Sequence, residues 1–296
     1  MPVEEQDRSA QQNPESSSES QKDLGRPSAQ DIYKQVAENA REELKRTTMS
    51  LAISGFAGGI FMGLSALGIA IVLAQLGTSP ATSFIGFMFY PLGFIVVILG
   101  RAQLFTENTL YPVALVFAQK KHIWHTLRLW ATVLPANVLG ALTFAALATR
   151  TQALKPEFAT ALAQLGLESS EQGAARIFWS AVMAGWIIAT VAWLVSASHS
   201  ITGSIMVIWT LTFVVGLGHF SHCIAGSGEV LAAVLLGKAP ALAYLRWLAL
   251  AAAGNVCGGI GMVTLLEYGQ VIADDETAKA ITDFVEKKDE EQPIDA

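Results

Sequence analysis

From Leu51 to Gly100 the chain carries no Asp, Glu, Lys or Arg. A water-soluble fold needs charged surface somewhere in such an interval, since ordinary globular chains carry about 25% charged residues. Here 15% of the 296 residues are charged and 52% are hydrophobic. Lipid is therefore the solvent for much of the chain, and an all-α integral membrane protein is predicted. Six apolar runs are expected, at about 49–76, 83–117, 127–149, 177–198, 204–237 and 241–270. Each approaches or exceeds the roughly 20 residues that cross a bilayer as a helix.

The second and fifth runs are too long for one crossing, and each is interrupted. The fifth contains Gly216-Leu217-Gly218-His219-Phe220-Ser221-His222-Cys223-Ile224-Ala225-Gly226-Ser227-Gly228-Glu229. Histidines, an acid and non-helical backbone at membrane depth are costly, and they persist where they are buried in protein or line a polar path. The second is broken at Gly100-Arg101-Ala102-Gln103-Leu104-Phe105-Thr106-Glu107-Asn108-Thr109, followed by Pro112. Runs 1–3 and runs 4–6 thus each have a broken middle member. Three crossings are an odd number, so the halves must be inverted relative to each other. The expected fold is six transmembrane helices in an inverted 3+3 repeat, with helices 2 and 5 broken at mid-membrane, an arrangement that marks a midplane transport path. Gly55, Gly59 and Gly63, and Gly254 with Gly258, form small-residue stripes that let helices approach closely.

The flanks divide from this transport domain, residues 49–270. Residues 1–27 are rich in Ser, Gln, Glu and Pro and are expected to be disordered. Residues 28–48 read as an amphipathic surface helix, with Ser28 and Asp31 as a capping box and Ile32, Val36, Ala40 and Leu44 on one side. Residues 150–176 read as a polar external excursion. Residues 271–296 form an acidic tail, expected as a solvent-exposed helix with a frayed end. An even number of crossings puts both termini on one side, and Lys45, Arg46, Lys120, Lys121 and Arg128 favour the cytoplasmic side for them; the expected location is a bacterial inner membrane. The net charge of −6 says little about partners, because the acids are concentrated in the two tails, and no nucleic-acid partner is expected. Cys223 and Cys257 both sit in apolar runs and imply no disulfide framework.

Leu104-Phe105-Thr106 followed by Asn108 resembles the Leu-Phe-Thr-Gly-Asn signature of the formate/nitrite transporter (FNT) family. Phe220-Ser221-His222-Cys223-Ile224-Ala225 is similar to that family's Phe-Glu-His-Ser-Ile-Ala. Trp186 with Ala192-Trp193, and Gly254-Asn255-Val256-Cys257-Gly258-Gly259, resemble its motifs on spans 4 and 6. The resemblance, over about residues 38–270, implies an aquaporin-like protomer in a homo-pentamer, with one pore per subunit for small monovalent weak-acid anions. It further implies that His222 is the central pore histidine and that Thr106 faces it. Leu104 and Phe105 would form an apolar constriction, and Asn255 would line the path. Ser221, Gly226 and Gly185 depart from the family's acid and two asparagines, and no lysine lies between Lys155 and Lys238. Arg101 and Glu107 flank Leu-Phe-Thr and, at membrane depth, are expected to pair.

The chemistry of such a pore is simple to state. A bare carboxylate in a low-dielectric constriction costs several kcal/mol even after relaxation, about as much as any buried ion, and a neutral acid avoids most of that cost. Helix N-termini at the breaks favour an anion. A buried imidazole is expected to rest neutral, so His222 would polarise or relay a proton. Two other readings stand beside this one. His219, His222 and Cys223, with Glu229 nearby, would suit a divalent-metal permease or an intramembrane metalloenzyme, although no His-Glu-x-x-His motif is present. A channel for neutral small solutes would use the histidine only structurally. No nucleophile–base pair, nucleotide motif or cofactor-binding motif is visible, so an enzyme or a primary pump is not expected.

Overall fold

The computed structural model describes residues 27–119, 121–265, 269, 271 and 275–294. Nearly all of the expected disordered tail, 1–27, lies outside the described residues. Regular structure among the described residues is helical.

Helix α1, Ala29–Lys45, starts at the expected capping box: Ser28 Oγ accepts from Asp31 N at 3.2 Å, and the Asp31 carboxylate accepts from Ser28 N at 3.0 Å. Its apolar face, Tyr33, Val36, Ala37, Ala40 and Leu44, is buried. Then come α2 (Thr48–Leu76), α3 (Pro80–Phe87), α4 (Pro91–Leu99), a 3₁₀ turn at Glu107–Thr109, α5 (Tyr111–Gln119) and α6 (Ile123–Arg150). The second half contains α7 (Pro156–Ser170), α8 (Ala174–Ser196), α9 (Ile201–Leu217), α10 (Ala225–Leu235) and α11 (Ala241–Cys257), which runs on as a π-helix over Gly258–Thr264. The chain closes with α12, Asp275–Glu291.

By length and composition, five helical stretches among the described residues could cross a membrane: Thr48–Leu76, Pro80–Leu99, Ile123–Arg150, Ala174–Ser196 and Ala241–Gly261. The fifth apolar run appears as two shorter apolar helices, α9 and α10, each below the length of a crossing. The run expected at 83–117 is likewise divided, into α3, α4 and α5.

Close backbone contact organises the bundle. A Cβ on Gly59 of α2 would lie 2.0 Å from the Asn137 carbonyl of α6, and one on Gly140 would lie 2.1 Å from the Phe56 carbonyl. The two helices therefore meet with no side chain between them, the use of glycine expected from the stripe.

Two flank expectations are corrected. Residues 150–176 are not a polar excursion, because α7 buries Leu162 and Ala163 against α10. Gly166 sits so near that a Cβ would fall 2.0 Å from the Glu229 carbonyl. The C-terminal helix is not left exposed either. Ile281 and Val285, four residues apart on one face, are buried. Arg41 of α1 pairs with the Asp289 carboxylate and donates to the carbonyls of Lys288 (2.8 Å) and Gln292 (2.6 Å).

Candidate functional site

The non-helical segments on either side of the molecule's centre are built alike. Helix α4 ends at Gly100 and α9 at Gly218, and the next residues, Arg101 (φ 55°) and His219 (φ 51°), adopt the left-handed conformation. Ala102 N then donates to Val97 O, and Phe220 N to Val215 O, both at 3.0 Å. This is the 6→1 bond of a Schellman ending, made here without glycine at the left-handed position and at a cost of roughly 1–2 kcal/mol each.

Each segment is then held by an asparagine from a neighbouring helix. Asn137 of α6 donates to Gly55 O (2.6 Å) and Gln103 O (2.8 Å) and accepts from Phe105 N (2.9 Å). Asn255 of α11 donates to Ala181 O (2.8 Å) and Ser221 O (2.9 Å) and accepts from Cys223 N (2.8 Å). A serine supports each clamp: Ser54 Oγ accepts from Gln103 N at 3.1 Å, and Ser180 Oγ from Ser221 N at 3.3 Å. Both asparagines are fully buried. Both amide donors and the oxygen of Asn255 are engaged by backbone, and it borders neither of the cavities described below. Its partner Asn137 was missed in the sequence, although Asn137-Val138-Leu139-Gly140 and Asn255-Val256-Cys257-Gly258 share an Asn-Val-x-Gly pattern that a comparison of the halves would have found.

The segments bring His222 and Thr106 together. His222 Nε2 and Thr106 Oγ1 are 2.8 Å apart, and both residues are buried. The other ring nitrogen caps α10, with Nδ1 accepting from Ile224 N (3.3 Å) and Ala225 N (3.1 Å). These N–H groups would otherwise be unpaired at a helix start. An Nδ1 that accepts carries no proton, so in the neutral ring the proton is on Nε2, which donates to Thr106 Oγ1. The Phe94 ring packs edge-on to the imidazole, with centroids 5.0 Å apart.

Two cavities flank this contact. The first, about 280 Å³, is bordered by His222 together with His219, Glu168, Glu229, Arg176 and Trp247. The second, about 260 Å³, is bordered by Leu104, Gln103, Arg101, Glu107 and, from α1, Glu43. His222 is on the wall of the first space, and Leu104 and Glu107, on the wall of the second, stand two residues before and one after Thr106 in the chain. Phe105 borders neither; its ring packs edge-on to Trp130, centroids 5.8 Å apart. Arg101 and Glu107 share the second cavity, but the expected direct pair is not formed. Among the described residues no ion pair within 4.0 Å joins them, because Arg101 turns to the exposed side while Glu107 is buried. Glu43 instead accepts from Gln103 Nε2, and Gln103 Oε1 accepts from Asn108 Nδ2 at 2.8 Å.

Among the described residues, no three His, Cys, Asp or Glu side chains converge as a metal site. His219 packs on Phe87, with centroids 4.8 Å apart, and both His222 nitrogens are engaged within the protein. The metal reading of His219, His222 and Cys223 is not favoured.

A helical bundle with apolar crossings and paired non-helical segments around one buried histidine defines a membrane channel or transporter. The Formate/nitrite transporter family model matches residues 30–269, and the chain belongs to that family. It is 31% identical over 246 residues to the inner membrane protein YfdC of Escherichia coli (strain K12), covering 82% of this chain and 79% of that protein. Its fold is similar to that of a solved FNT family ion channel, with a TM-score of 0.73, 16% identity, and coverage of 81% of this chain and 98% of the other. A pentameric formate channel with formate bound is similar at a TM-score of 0.65, with 18% identity and coverage of 77% and 98%.

Proposed function

We propose that this protein conducts small monovalent weak acids, of the formate and nitrite kind, through a path in each protomer that passes from one cavity to the other by His222 and Thr106. One observation carries the reading: the 2.8 Å contact between His222, which borders the first cavity, and Thr106, whose chain neighbours Leu104 and Glu107 border the second. In this reading α3 to α5 and α9 to α10 each form one broken crossing, and the matched clamps of Asn137 and Asn255 support an inverted 3+3 repeat. Leu104 narrows the path from the second cavity. Asn255 and Asn137 are positioning residues that hold the broken segments in register.

His222 acts in this reading through Nε2. Protonating Nδ1 would turn an acceptor toward two N–H donors and remove the cap of α10, so the ring serves as a neutral donor at Nε2 rather than as a fixed cation. Cargo entering from either cavity displaces or shares the Thr106 hydroxyl and receives the Nε2–H bond while it is out of water. The likeness to a pentameric formate channel supports a homo-pentamer, and the relative's inner-membrane location supports the same membrane here. The packing of α1 on α12 supports termini on one side, and the basic residues Lys45 and Arg46 beside the first crossing support the cytoplasmic one.

Purified protein in liposomes tests this directly. Formate, nitrite and acetate uptake is expected in wild type and is expected to collapse in His222→Ala. Water or glycerol flux that ignores the substitution, with no weak-acid flux in wild type, would overturn the reading in favour of a neutral-solute channel.

A further inference from the structure

The charged groups on the two cavity walls match. Glu168, Glu229 and Arg176 border the first, and Glu43, Glu107 and Arg101 border the second. Both arginines are exposed, whereas one acid on each side is deeply buried, Glu229 and Glu107 each at 9% exposure. The other acid of each cavity has a partner. Glu168 accepts from Gln164 Nε2 at 3.1 Å, and Glu43 is held by Arg46 and Gln103. Among the described residues the carboxyls of Glu229 and Glu107 form no ion pair within 4.0 Å and no hydrogen bond. Neither residue has an enclosed, unpartnered oxygen, so the surface left to each carboxyl opens on its cavity. Glu107 directly follows Thr106, at the place where the Leu-Phe-Thr-Gly-Asn signature has glycine.

A buried carboxylate without a partner is costly, and a cation or a proton removes the cost. A small protonated amine brings both. Its N–H groups donate to a carboxylate in a charge-assisted bond. The first cavity adds Phe87, Tyr90, Phe220 and Trp247, aromatic surroundings that suit an ammonium group. The other titratable groups on the walls are His219, His222 and Tyr90 in the first cavity and Tyr111 in the second. Once its proton is gone, an amine has a free lone pair, and the neutral His222 ring offers Nε2–H as a donor. An amine nitrogen accepts that bond as the oxygen of a weak acid does.

We propose that the path also carries small protonated amines such as methylammonium, with Glu229 and Glu107 binding the cation and exchanging its proton, one in each cavity. On entry an N–H bond of the ammonium breaks and a carboxyl O–H forms, the bonding electrons staying on nitrogen, which leaves a neutral amine and a neutral glutamic acid. The amine accepts from His222 Nε2–H as it passes Thr106. The far glutamate, protonated from the water of its own cavity, returns a proton to nitrogen, and the near one releases its proton to the water on its side. The proposal rests on the path through His222 and Thr106 and not on the weak acid as its cargo.

Uptake of labelled methylammonium into liposomes holding the full chain tests it, at about pH 6.5, where an alkylamine is almost wholly charged and leak of the free base through lipid is small. Wild-type protein is expected to carry it, and His222→Ala to lose it. Glu229→Gln and Glu107→Gln are each expected to lower the ratio of methylammonium to formate uptake on the order of tenfold or more, the cost of stripping the charge from one partner of a buried pair. Glu229→Asp and Glu107→Asp keep the charge and are expected to keep more of the ratio. Potassium has no proton to give and is expected not to cross; potassium flux would overturn the proton step and leave a plain cation pore. Formate uptake without methylammonium uptake, or Gln variants with the wild-type ratio, would overturn the proposal while leaving the weak-acid reading intact. Methylammonium uptake without any weak-acid flux would support it and overturn that reading, and the absence of both fluxes would overturn both.

Discussion

Thr106 and His222, from opposite halves of the chain, meet side chain to side chain at 2.8 Å in a fully protein-enclosed setting. Because Nδ1 is committed to capping α10, the direction of this hydrogen bond is determined: the ring donates and the hydroxyl accepts. Thr106→Val keeps the shape and leaves Nε2–H unpaired, which costs about 1–3 kcal/mol. The variant is expected to lose thermal stability and weak-acid flux together, whereas Thr106→Ser restores both. Ring-¹⁵N-labelled protein is expected to show the Nε2–H tautomer by NMR. A ring protonated at Nδ1 would contradict the capping geometry.

The asparagine clamps lead to a second expectation. Asn137→Ala leaves Gln103 O and Phe105 N without their partner, and Asn255→Ala does the same to Ser221 O and Cys223 N, while Gly55 O and Ala181 O keep their bonds within α2 and α8. Each group left unsatisfied costs about 1–3 kcal/mol. Both variants are expected to lower the unfolding midpoint in detergent by similar amounts, since the bonds match one for one. Asn→Asp is expected to be no better, because it keeps the acceptor but deletes both donors. A large loss at one site and none at the other would separate the two clamps in kind.

Much of this was legible in the sequence, and the reason is physical. Glycines, histidines and an acid inside an apolar run stand out because lipid tolerates them so poorly, so His222 and both non-helical segments were visible. The Ser28–Asp31 cap was visible because its two partners are three residues apart. Asn137 was not, because one amide in an apolar helix reads equally well as a small packing residue until its backbone partners are known. Phe105 reads as pore lining from its motif, yet the bond from its N–H to Asn137 turns its ring toward Trp130. The burial of α7 and α12 was hidden for a different cause. Their polar residues dominate the composition, while packing depends on a few positions such as Gly166, Ile281 and Val285.

Glu43 gives the stability a pH dependence. It lies on α1, outside the apolar crossings, and burial against the Gln103 segment raises its pKa above the ordinary 4.5, with Arg46 at 3.1 Å opposing part of the effect. A folded-state carboxyl that holds its proton more tightly than the unfolded one favours folding fully below pH 4.5, and that contribution is lost as pH rises through the folded-state value. Glu43→Gln can still accept from Gln103 and removes the titration. Its melting temperature is therefore expected to exceed that of wild type at about pH 8, with the gain vanishing at about pH 4, where the carboxyl is largely protonated in both states. A gain that grows in acid would reverse the sign and exclude burial as the dominant cause.

Arg41 holds the C-terminal helix to the N-terminal one. Its guanidinium is buried, with side-chain exposure of 6%, and it engages the Asp289 carboxylate and the carbonyls of Lys288 and Gln292. Removing one partner of a buried ion pair strands the other and costs about 3 kcal/mol. Lys287 and Lys288 lie on the segment so released, and when opening is fast relative to cleavage, proteolysis follows the population of the open form. Trypsin is therefore expected to cut Arg41→Ala at these lysines on the order of a hundredfold faster than wild type, the equivalent of that energy. The crossings are expected to stay intact, because α12 packs mainly on α1 and α5 and not on the helices that carry Asn137 and Asn255, and transport per protomer is expected to persist. Arg41→Lys restores the charge but not the fork that reaches a carboxylate and two carbonyls at once, so it is expected to fall between the two. Equal cleavage rates in all three proteins would show that the apolar face of α12, and not Arg41, fixes it in place.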